Sequence, residues 1–345
     1  MKTQVFSVRS PDDPAIAQVG EILREGGLAA IPTETVYGLA ASALNDDAVR
    51  GIFRAKGRPA DNPLIVHISA VSQWDALVTA IPDSAKRLAA AYWPGPLTII
   101  LPKSGRVSDV VSGGLSTVAV RMPSHPIARA VIDAAGVPLA APSANTSGKP
   151  SPTTAQHVKD DLDGKIDCIV DAGSCPIGVE STVVSLAGEK PRLLRPGGVT
   201  PDMLEAVLGE IEIDDAVFHH LADDKTAASP GMKYKHYAPS ARVTILKGSF
   251  AQFKAYVEAH SAPGTMALCF AGEEEDLPVP AIAFGSADDG GTQAARIFAA
   301  LRELDARGAK TVFARFPRME GVGLAVFNRL VRAAAFQIVD LGGAP

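Results

Sequence analysis

Residues 14–194 alternate short apolar runs, rich in β-branched side chains, with amphipathic stretches. This alternation is typical of a mixed α/β domain, in which the apolar runs form strands and the amphipathic stretches form helices. Strands are expected at 28–32, 64–68, 97–101, 118–121, 139–141, 168–171 and 182–186, and helices at 15–25, 46–53, 84–92 and 201–208. The first helix should end at Gly26 and Gly27, because glycine readily takes the left-handed conformation that terminates helices.

A loss of this alternation separates the first unit from a second. The segment 211–241 collects charged residues, prolines and small residues without clear periodicity, which is typical of a linker. Apolar runs then return, with helical stretches between them, and such a pattern predicts a small parallel sheet. The runs lie at 243–246, 266–270, 281–284 and 311–316, and the main helical stretches at 292–307 and 323–337. We therefore expect one domain over 1–208, a linker over 209–240 and a second domain over 241–345.

Bulk composition agrees with two folded domains and narrows the classes of function. The chain has 345 residues, of which 47% are hydrophobic and 21% charged, so each domain can bury a core. The formal net charge of -5 counts against an obligate nucleic-acid coat protein, although it is compatible with a local basic cleft. The three cysteines lack the spacing of a zinc site or of a disulfide framework. With neither a signal-peptide pattern nor an apolar run long enough to cross a membrane, the chain is expected in the cytoplasm.

The most unusual polar segment is PTETVYGLAA at 32–41, which places hydroxyl side chains and a carboxylate directly after the predicted strand 28–32. Ligands often bind at the carboxyl ends of strands in α/β proteins, so this segment is a candidate binding site. The alternative is a polar turn in which Thr33 or Thr35 caps a helix.

A second polar cluster, KGRPADNPLIVHI at 56–68, suits an anion. Lys56 supplies a compact positive charge, and Arg58 supplies a planar fork that can bind two phosphate oxygens. Asn62 lies in the same loop, and His67 lies in the strand that follows. The alternatives are a solvated basic turn and an ordinary strand histidine.

Two further clusters could serve a carboxylate and a nucleotide. In STVAVRMPSHP, Thr117 begins a predicted strand and Arg121 ends it, a position that suits a carboxylate clamp but is also common for an exposed arginine. In APSANTSGKPSPT, Ser143, Asn145 and Ser151 could present hydroxyl, amide and backbone N–H groups to phosphate or ribose. A generic loop of serine, glycine and proline would look much the same.

The last cluster joins GVESTVVSL to LLRPGGVT, with Ser181 at the start of one strand and Arg195 at the end of another. Gly197 and Gly198 follow, and glycine permits a close approach of the backbone to a ligand. Arg195 before Pro-Gly-Gly also fits an ordinary turn. Common nucleotide signatures are absent from the sequence, since no GxxxxGK[ST] and no complete GxGxxG occurs.

Taken together and in this order, seven motifs of the chain resemble the YrdC-type threonylcarbamoyl-AMP synthases: PTETVYGL, KGRPADNPL, WPGPLT, VAVRMPSHP, APSANTSGKPSPT, GVESTVV and LLRPG. The likeness covers about residues 14–200, and SPGMKYKHYAP with the unit after it is similar to the long form of that enzyme. The resemblance implies an α/β fold: a twisted mixed-sheet YrdC-like catalytic domain with a concave cavity, a linker, and a smaller Rossmann-like α/β domain.

The resemblance also implies which residues bind the substrates. L-Threonine would contact Thr35, His67, Arg121, Ala141 and Ser181, with its carboxylate on Arg121. ATP would contact Arg58, Asn62, Thr117, Ser143, Asn145, Ser151, Arg195 and Tyr234. Lys56 and Arg58 would be the catalytic cations, and no metal-binding side chains are expected.

The implied reaction joins L-threonine, bicarbonate and ATP into threonylcarbamoyl-AMP and pyrophosphate, for threonylcarbamoyladenosine in tRNA. A carbamate of threonine would attack the α-phosphorus of ATP, while Lys56, Arg58 and Arg195 stabilise the charge on the phosphoryl oxygens. Mg²⁺ would bridge the triphosphate. Because the carbamate is unstable in water, the linker over 209–240 is expected to act as a lid that brings Tyr234 towards ATP. The expected downstream partners are the tRNA threonylcarbamoyl-transferase proteins.

Two other interpretations are compatible with the sequence. A carbamoyl-transfer protein could use the same type of domain on a different acceptor, but the linker and the second domain favour the threonine enzyme. An RNA-binding module could use the concave surface without chemistry, and it would bind double-stranded RNA in a salt-sensitive way without turning over ATP. The acidic overall balance argues against that module, although weak RNA binding is compatible with either function.

Overall fold

The structure is a computed structural model, and it describes residues 2–220 and 237–342. The described residues form two compact units. The first spans 2–147 and 151–217, and the second spans 237–342 together with 148–150 and 218–220.

The first unit is built on one mixed sheet of eleven strands among the described residues, in the order β1-β8-β2-β3-β7-β4-β6-β5-β9-β10-β11. The strands are β1 (Gln4–Ser7), β2 (Ala29–Ile31), β3 (Gly38–Ser42), β4 (Ile65–His67), β5 (Leu97–Pro102), β6 (Thr117–Arg121), β7 (Leu139–Ala140), β8 (Cys168–Asp171), β9 (Thr182–Ser185), β10 (Arg192–Arg195) and β11 (Glu212–Ile213). The helices are α1 (Ala15–Arg24), α2 (Asp46–Lys56), α3 (Asp83–Tyr92), α4 (Asp109–Ser112), α5 (Pro126–Ala135), α6 (Ala155–Leu162) and α7 (Pro201–Leu208).

Helices cover the two faces of this sheet unequally. Residues of α2, α3, α4, α6 and α7 form a large apolar core with one face. On the opposite face, α1 and α5 pack against strands at the β1 end of the sheet, from β1 to β7. The other half of that face, on β4, β6, β5, β9 and β10, carries a small apolar cluster whose described members include no α-helical residue. Three candidate site residues, His67, Arg121 and Ser181, lie on this half, because each is two residues from a member of that cluster on its strand.

Local sequence explains how α2 delivers its last residue to the site. The Oδ1 atom of Asn45 accepts hydrogen bonds from the amides of Asp47 and Ala48, so asparagine caps the first turn. Gly57 ends the helix with a φ of +61°, a conformation that glycine takes at little cost. Lys56 is therefore fixed as the final residue of the helix.

Most of the predicted elements are present with small shifts of their ends, and the predicted fold class is confirmed. All seven strands predicted for the first unit occur, as do the four predicted helices. The pattern does not predict β1, β3, α4, α5 or α6.

The predicted linker differs from the structure at its start. Glu212–Ile213 forms β11, which pairs in parallel with β10, and a short 3-10 turn at Asp215–Val217 buries Ala216 and Val217. The first unit therefore continues to 217, beyond the expected bound at 208. Residues 221–236 of the predicted linker lie outside the described residues.

The second unit is a five-stranded sheet in the order β14-β13-β15-β12-β16, and its strands are all parallel. Its elements are β12 (Arg242–Lys247), α8 (Phe250–His260), β13 (Thr265–Cys269), β14 (Ala281–Ala283), α9 (Gly290–Ala306), β15 (Thr311–Arg315), α10 (Gly323–Ala333) and β16 (Ile338–Asp340). The predicted small parallel sheet is confirmed. Across both described ranges, every helix is too short or too polar to cross a bilayer.

Candidate active site

Arg121 ends β6, and its guanidinium is buried in an ion pair with Glu34. Nη2 of Arg121 lies 2.7 Å from Oε1 of Glu34, and the two side chains are only 5% and 7% exposed. Nε of Arg121 donates to the carbonyl of Gly95 at 3.3 Å, in the WPGP turn before β5. Removing both charges from water costs energy that their attraction only partly offsets, so such a pair contributes little to stability. A rigid, buried arginine at a strand end is better explained as a binding group for an anion.

His67 lies beside Arg121, because β4 and β6 run parallel with these two residues in register. Burial, followed by the positive charge of Arg121, lowers the pKa of His67 to about 3, so its imidazole is neutral at pH 7. Nδ1 of His67 lies 3.2 Å from the carbonyl of Ile65, and the backbone of Leu139 is a second hydrogen-bond partner of the ring. The neutral ring can take part in hydrogen bonds without adding a second positive charge beside Arg121.

A chain of hydrogen bonds extends from the strand beside Arg121 to Arg195. Thr98 of β5 pairs in register with Arg121 of β6, and its Oγ1 lies 2.8 Å from Oγ of Ser181. Arg195, at the end of β10, donates from Nη2 to this same hydroxyl at 3.1 Å and from Nε to the Ser181 carbonyl at 3.0 Å. Ser181 therefore connects Arg195 to Thr98, the residue that lies beside Arg121 in the sheet.

Lys56 organises the loop that follows β7. Its side chain is buried, and its Nζ donates to the carbonyls of Ser143 and Asn145, the latter at 2.6 Å. The amide of Ser147 in turn donates to the Lys56 carbonyl at 2.8 Å. The lysine thus fixes the loop that carries two of the expected nucleotide contacts, in addition to supplying a positive charge.

Three of the other expected nucleotide contacts, Arg58, Asn62 and Ser151, are also buried within the first unit. Arg58 donates to the carbonyls of Asn62 and Pro63, the latter at 3.1 Å. Ser151 donates a short hydrogen bond to the carboxylate of Glu180, which directly precedes Ser181. Thr117 and Arg121 are four residues apart on β6, so their side chains lie on the same face about 13 Å apart. This separation suits one small ligand at Arg121 and a longer one that extends towards Thr117.

Thr35 and Ala141 border the Arg121 end of this arrangement. Thr35 is fully buried, with its hydroxyl 2.8 Å from that of Thr33, which accepts hydrogen bonds from the amides of Thr35 and Val36. The alternative of a helix cap is wrong, because the turn leads into β3. Ala141 donates its amide to Ile65 in β4 at 2.9 Å.

Comparison with known proteins shows the family of the chain. A family model named Sua5_yciO_yrdC and described as telomere recombination matches residues 21–197. The model for the C-terminal domain of threonylcarbamoyl-AMP synthase matches residues 199–335. The chain belongs to the threonylcarbamoyl-AMP synthase family.

Similar members of the family match over nearly the whole chain. A threonylcarbamoyl-AMP synthase of Pyrococcus abyssi is 49% identical, over 92% of this chain and 94% of its own. The enzyme of that name from Bacillus subtilis is 47% identical, over 96% of each chain. The crystal structure of P. abyssi Sua5 complexed with L-threonine matches with a TM-score of 0.92 and 45% identity, covering 98% of this chain and 99% of that one.

Within this family framework, sequence reasoning missed three polar residues that the structure places at the site. Glu34 pairs with Arg121, Thr98 bonds Ser181, and Glu180 bonds Ser151. All three lie inside the quoted motifs, and this position is the one feature of the sequence that could have marked them as site residues. The sequence does not show which side chains pair with each other. Tyr234, expected to contact ATP, lies outside the described residues.

Gly197 has a different task from the one expected. A Cβ atom at this position would lie 2.4 Å from the amide of Thr182 and 2.6 Å from the carbonyl of Glu180. The glycine therefore permits the backbone of 196–198 to approach the chain's own segment 180–182, rather than a ligand. This contact holds Arg195 against Ser181.

Proposed function

We propose that this chain is an L-threonylcarbamoyladenylate synthase, which converts L-threonine, bicarbonate and ATP into threonylcarbamoyl-AMP and pyrophosphate. The proposal depends on one observation. Arg121, which can bind a carboxylate, neutral His67 and Arg195 come together on one face of the first sheet. Arg121 and His67 lie in register, and Ser181 connects their neighbourhood to Arg195. Membership of the threonylcarbamoyl-AMP synthase family supports the same activity.

Threonine would bind at the end of β6 with its α-carboxylate on Arg121. The neutral ring of His67 would lie beside the substrate, and Thr35, Ala141 and Ser181 would form the rest of the wall. A neutral histidine suits this task because a second cation beside Arg121 would repel the substrate ammonium.

ATP would occupy the region from Arg195 towards Thr117. Arg58 and Arg195 would stabilise the charge that develops on the α-phosphoryl oxygens, since fixed cations act most strongly where water is excluded. Asn62, Ser143, Asn145 and Ser151 would supply hydrogen bonds, and Lys56 would hold the 143–147 loop in place as well as contributing charge. Across residues 2–220 and 237–342 no cluster of metal ligands occurs, so Mg²⁺ would enter with ATP as part of the substrate.

The chemistry would proceed through a carbamate. The threonine nitrogen attacks the carbon of bicarbonate, water leaves, and a carbamate oxygen then attacks the α-phosphorus and expels pyrophosphate. The mixed anhydride product is reactive, so the next reaction must be a transfer of its threonylcarbamoyl group, here to an adenosine of tRNA. The partners that perform this transfer would be the tRNA threonylcarbamoyl-transferase proteins in the cytoplasm. The lid role of the linker beyond residue 217 and the contact of Tyr234 with ATP belong to the same proposal.

Pyrophosphate release tests the proposal. Purified full-length chain is given Mg-ATP with threonine alone, with bicarbonate alone, and with both. Release is expected only with both, because neither substrate alone provides the carbamate that attacks ATP. Pyrophosphate release with ATP and bicarbonate alone would contradict the assignment of this activity. So would release that requires bicarbonate together with an amine other than threonine. Salt-sensitive binding of double-stranded RNA without any release would instead support an RNA-binding module.

A further inference from the structure

The proposed reaction requires threonine as a free amine, yet a free amino acid carries a protonated amino group near neutral pH. An ammonium nitrogen has no lone pair and cannot attack carbon. A base at the site must therefore take up this proton, and none of the roles assigned so far provides one. This inference rests on the proposed function.

Glu34 is the described group best placed to act as this base. Its Oε1 pairs with Arg121, whereas its Oε2 is buried and makes no hydrogen bond of good geometry within residues 2–220 and 237–342, with only the backbone amides of Glu34 and Ser124 close to the carboxylate. A buried carboxylate oxygen without a partner carries a large energetic penalty, which a donor group from a ligand would remove. The threonine ammonium group is such a donor.

The other titratable groups that face Glu34 are less suited to the task. His67 is neutral with a pKa of about 3, which makes it a weak base. Burial also lowers the pKa of His125, although the charge of Glu34 opposes the effect. Burial raises the pKa of the Cys175 thiol to about 12, so it carries its own proton at neutral pH. A carboxylate is the one anionic base among these groups.

Arg121 connects this base to the substrate. An α-amino acid whose carboxylate lies on a guanidinium holds its ammonium group one carbon atom away from that carboxylate. Because Glu34 occupies Nη2 of the same guanidinium, the substrate carboxylate must share Arg121 with Glu34 or displace it. When the two carboxylates share Arg121, the ammonium group lies next to the carboxylate of Glu34.

We propose that Glu34 is the base that deprotonates the threonine ammonium group, and that threonine activates this base by taking over Arg121. In the free site, burial would raise the pKa of Glu34, but the charge and hydrogen bond of Arg121 and nearby backbone amides lower it overall. When the substrate carboxylate neutralises Arg121, this stabilisation of the Glu34 anion weakens while its burial remains. The carboxylate then becomes a stronger base only when a substrate is present.

The proton balance is simple. One N–H bond of the ammonium group breaks, its electron pair stays on nitrogen, and an O–H bond forms on Glu34. The amine then displaces hydroxide from bicarbonate, and this hydroxide leaves as water with the second amine proton. Glu34 returns its proton to water when pyrophosphate and the adenylate leave.

The variant Glu34→Gln tests this step, because an amide of the same shape cannot accept the proton. Pyrophosphate release at pH 7 is expected to fall by about 100-fold or more, the usual contribution of a general base. The remaining rate should increase about tenfold for each pH unit up to the pKa of the threonine amino group, since only free amine then reacts. Glu205→Gln, the same change at an exposed position of α7, is the matched control and should behave as the wild type.

A second readout separates a base from a residue that merely orients Arg121. Adenylyl transfer in reverse, in which added threonylcarbamoyl-AMP and pyrophosphate form ATP, requires no base for an ammonium group and should persist in Glu34→Gln. If Glu34 only positions Arg121, the forward and reverse rates should fall together, KM for threonine should rise, and the pH profile should keep its wild-type form. That pattern would overturn the proposal.

A measurement on the wild type covers the case in which the variant does not fold. The ¹⁵N resonance of labelled threonine, bound with a non-hydrolysable ATP analogue and without bicarbonate, should show a neutral amine at pH 7. An ammonium resonance would overturn the role of Glu34. Absence of pyrophosphate release by the wild type with all three substrates would contradict the proposed function itself, whereas wild-type release together with a fully active Glu34→Gln would contradict the base alone.

Discussion

His67 shows how a position in the sheet decides the charge of a side chain. It lies in register with Arg121, and its burial combined with that positive charge disfavours the imidazolium form. In the unfolded chain the same histidine has a pKa near its ordinary value of 6.5, against about 3 in the folded protein. Between these values the unfolded chain binds a proton that the folded chain does not, so stability must fall as the pH falls through this range.

We predict that His67→Asn weakens this pH dependence. The free energy of unfolding of the wild type should lose up to about 1.4 kcal/mol per pH unit from this residue between pH 6.5 and 3, and the variant should lack that contribution. Urea unfolding followed by tryptophan fluorescence reports on the first unit, because the only two tryptophans, Trp74 and Trp93, lie in it. His260→Asn on α8 is the control. If the free energy of unfolding changed equally with pH in His67→Asn and in the wild type, the histidine would already be charged in the folded protein.

At the same scale, the sequence predicts residue types better than residue pairings. The prediction that Arg121 clamps a carboxylate is supported by its burial, which argues against the alternative of an exposed arginine. Its pairing with Glu34 could not be predicted, because 87 residues separate the two and only the order of strands in the sheet brings them together. The motif predicts that Lys56 supplies a positive charge to an anion site, but it does not predict the bonds of Nζ to the carbonyls of Ser143 and Asn145. Such a contact depends on loop geometry that the motif does not specify.

At the scale of elements, the close contact between 180–182 and 196–198 fixes the position of Arg195. Gly197 makes this contact possible, since a Cβ atom there would overlap the backbone of Glu180 and Thr182. The contact holds the beginning of β9 against the end of β10, where the antiparallel register also shifts. A displacement of segment 196–198 would therefore move Ser181 and Arg195 together.

We predict that Gly197→Ala lowers both stability and substrate affinity. Overpacking at such a contact typically costs about 1–3 kcal/mol. The shift should also raise KM for ATP by about tenfold or more, since Arg195 would move away from Ser181. Gly188→Ala, where the nearest atom to a new Cβ is 3.9 Å away, is the matched control. Wild-type unfolding midpoints and KM values for Gly197→Ala would contradict the role given to this contact.

The elements that the sequence failed to predict share a physical cause or a neglected signal. Gly38–Ser42 has little strand propensity, yet it forms β3 because it is buried and paired on both sides, with β2 and with β7. By contrast, α5 begins with Pro126 at its first position and ends at Gly136, and these signals could have identified it. The strand β11 has only two residues, and its parallel pairing with β10 is not visible in local sequence.

At the scale of the whole molecule, the positions of the helices on the first sheet determine which part of it carries the site residues. One face is covered throughout, and among the residues that the structure describes the other carries α1 and α5 only at the β1 end. The remaining half holds His67, Arg121 and Ser181 around a small apolar cluster. Composition and alternation predict two α/β domains, but which half of a face α1 and α5 cover depends on strand order, which the sequence does not display.

The central claim is that one site joins a carbon from bicarbonate to threonine and to AMP. The most direct test is mass spectrometry of the product formed from ¹³C-labelled bicarbonate, threonine and Mg-ATP, with the reaction stopped early because the adenylate is unstable. The account predicts a threonylcarbamoyl-AMP whose carbamoyl carbon carries the label. A product that contains AMP but no labelled carbon, such as a directly adenylated threonine carboxylate, would contradict it.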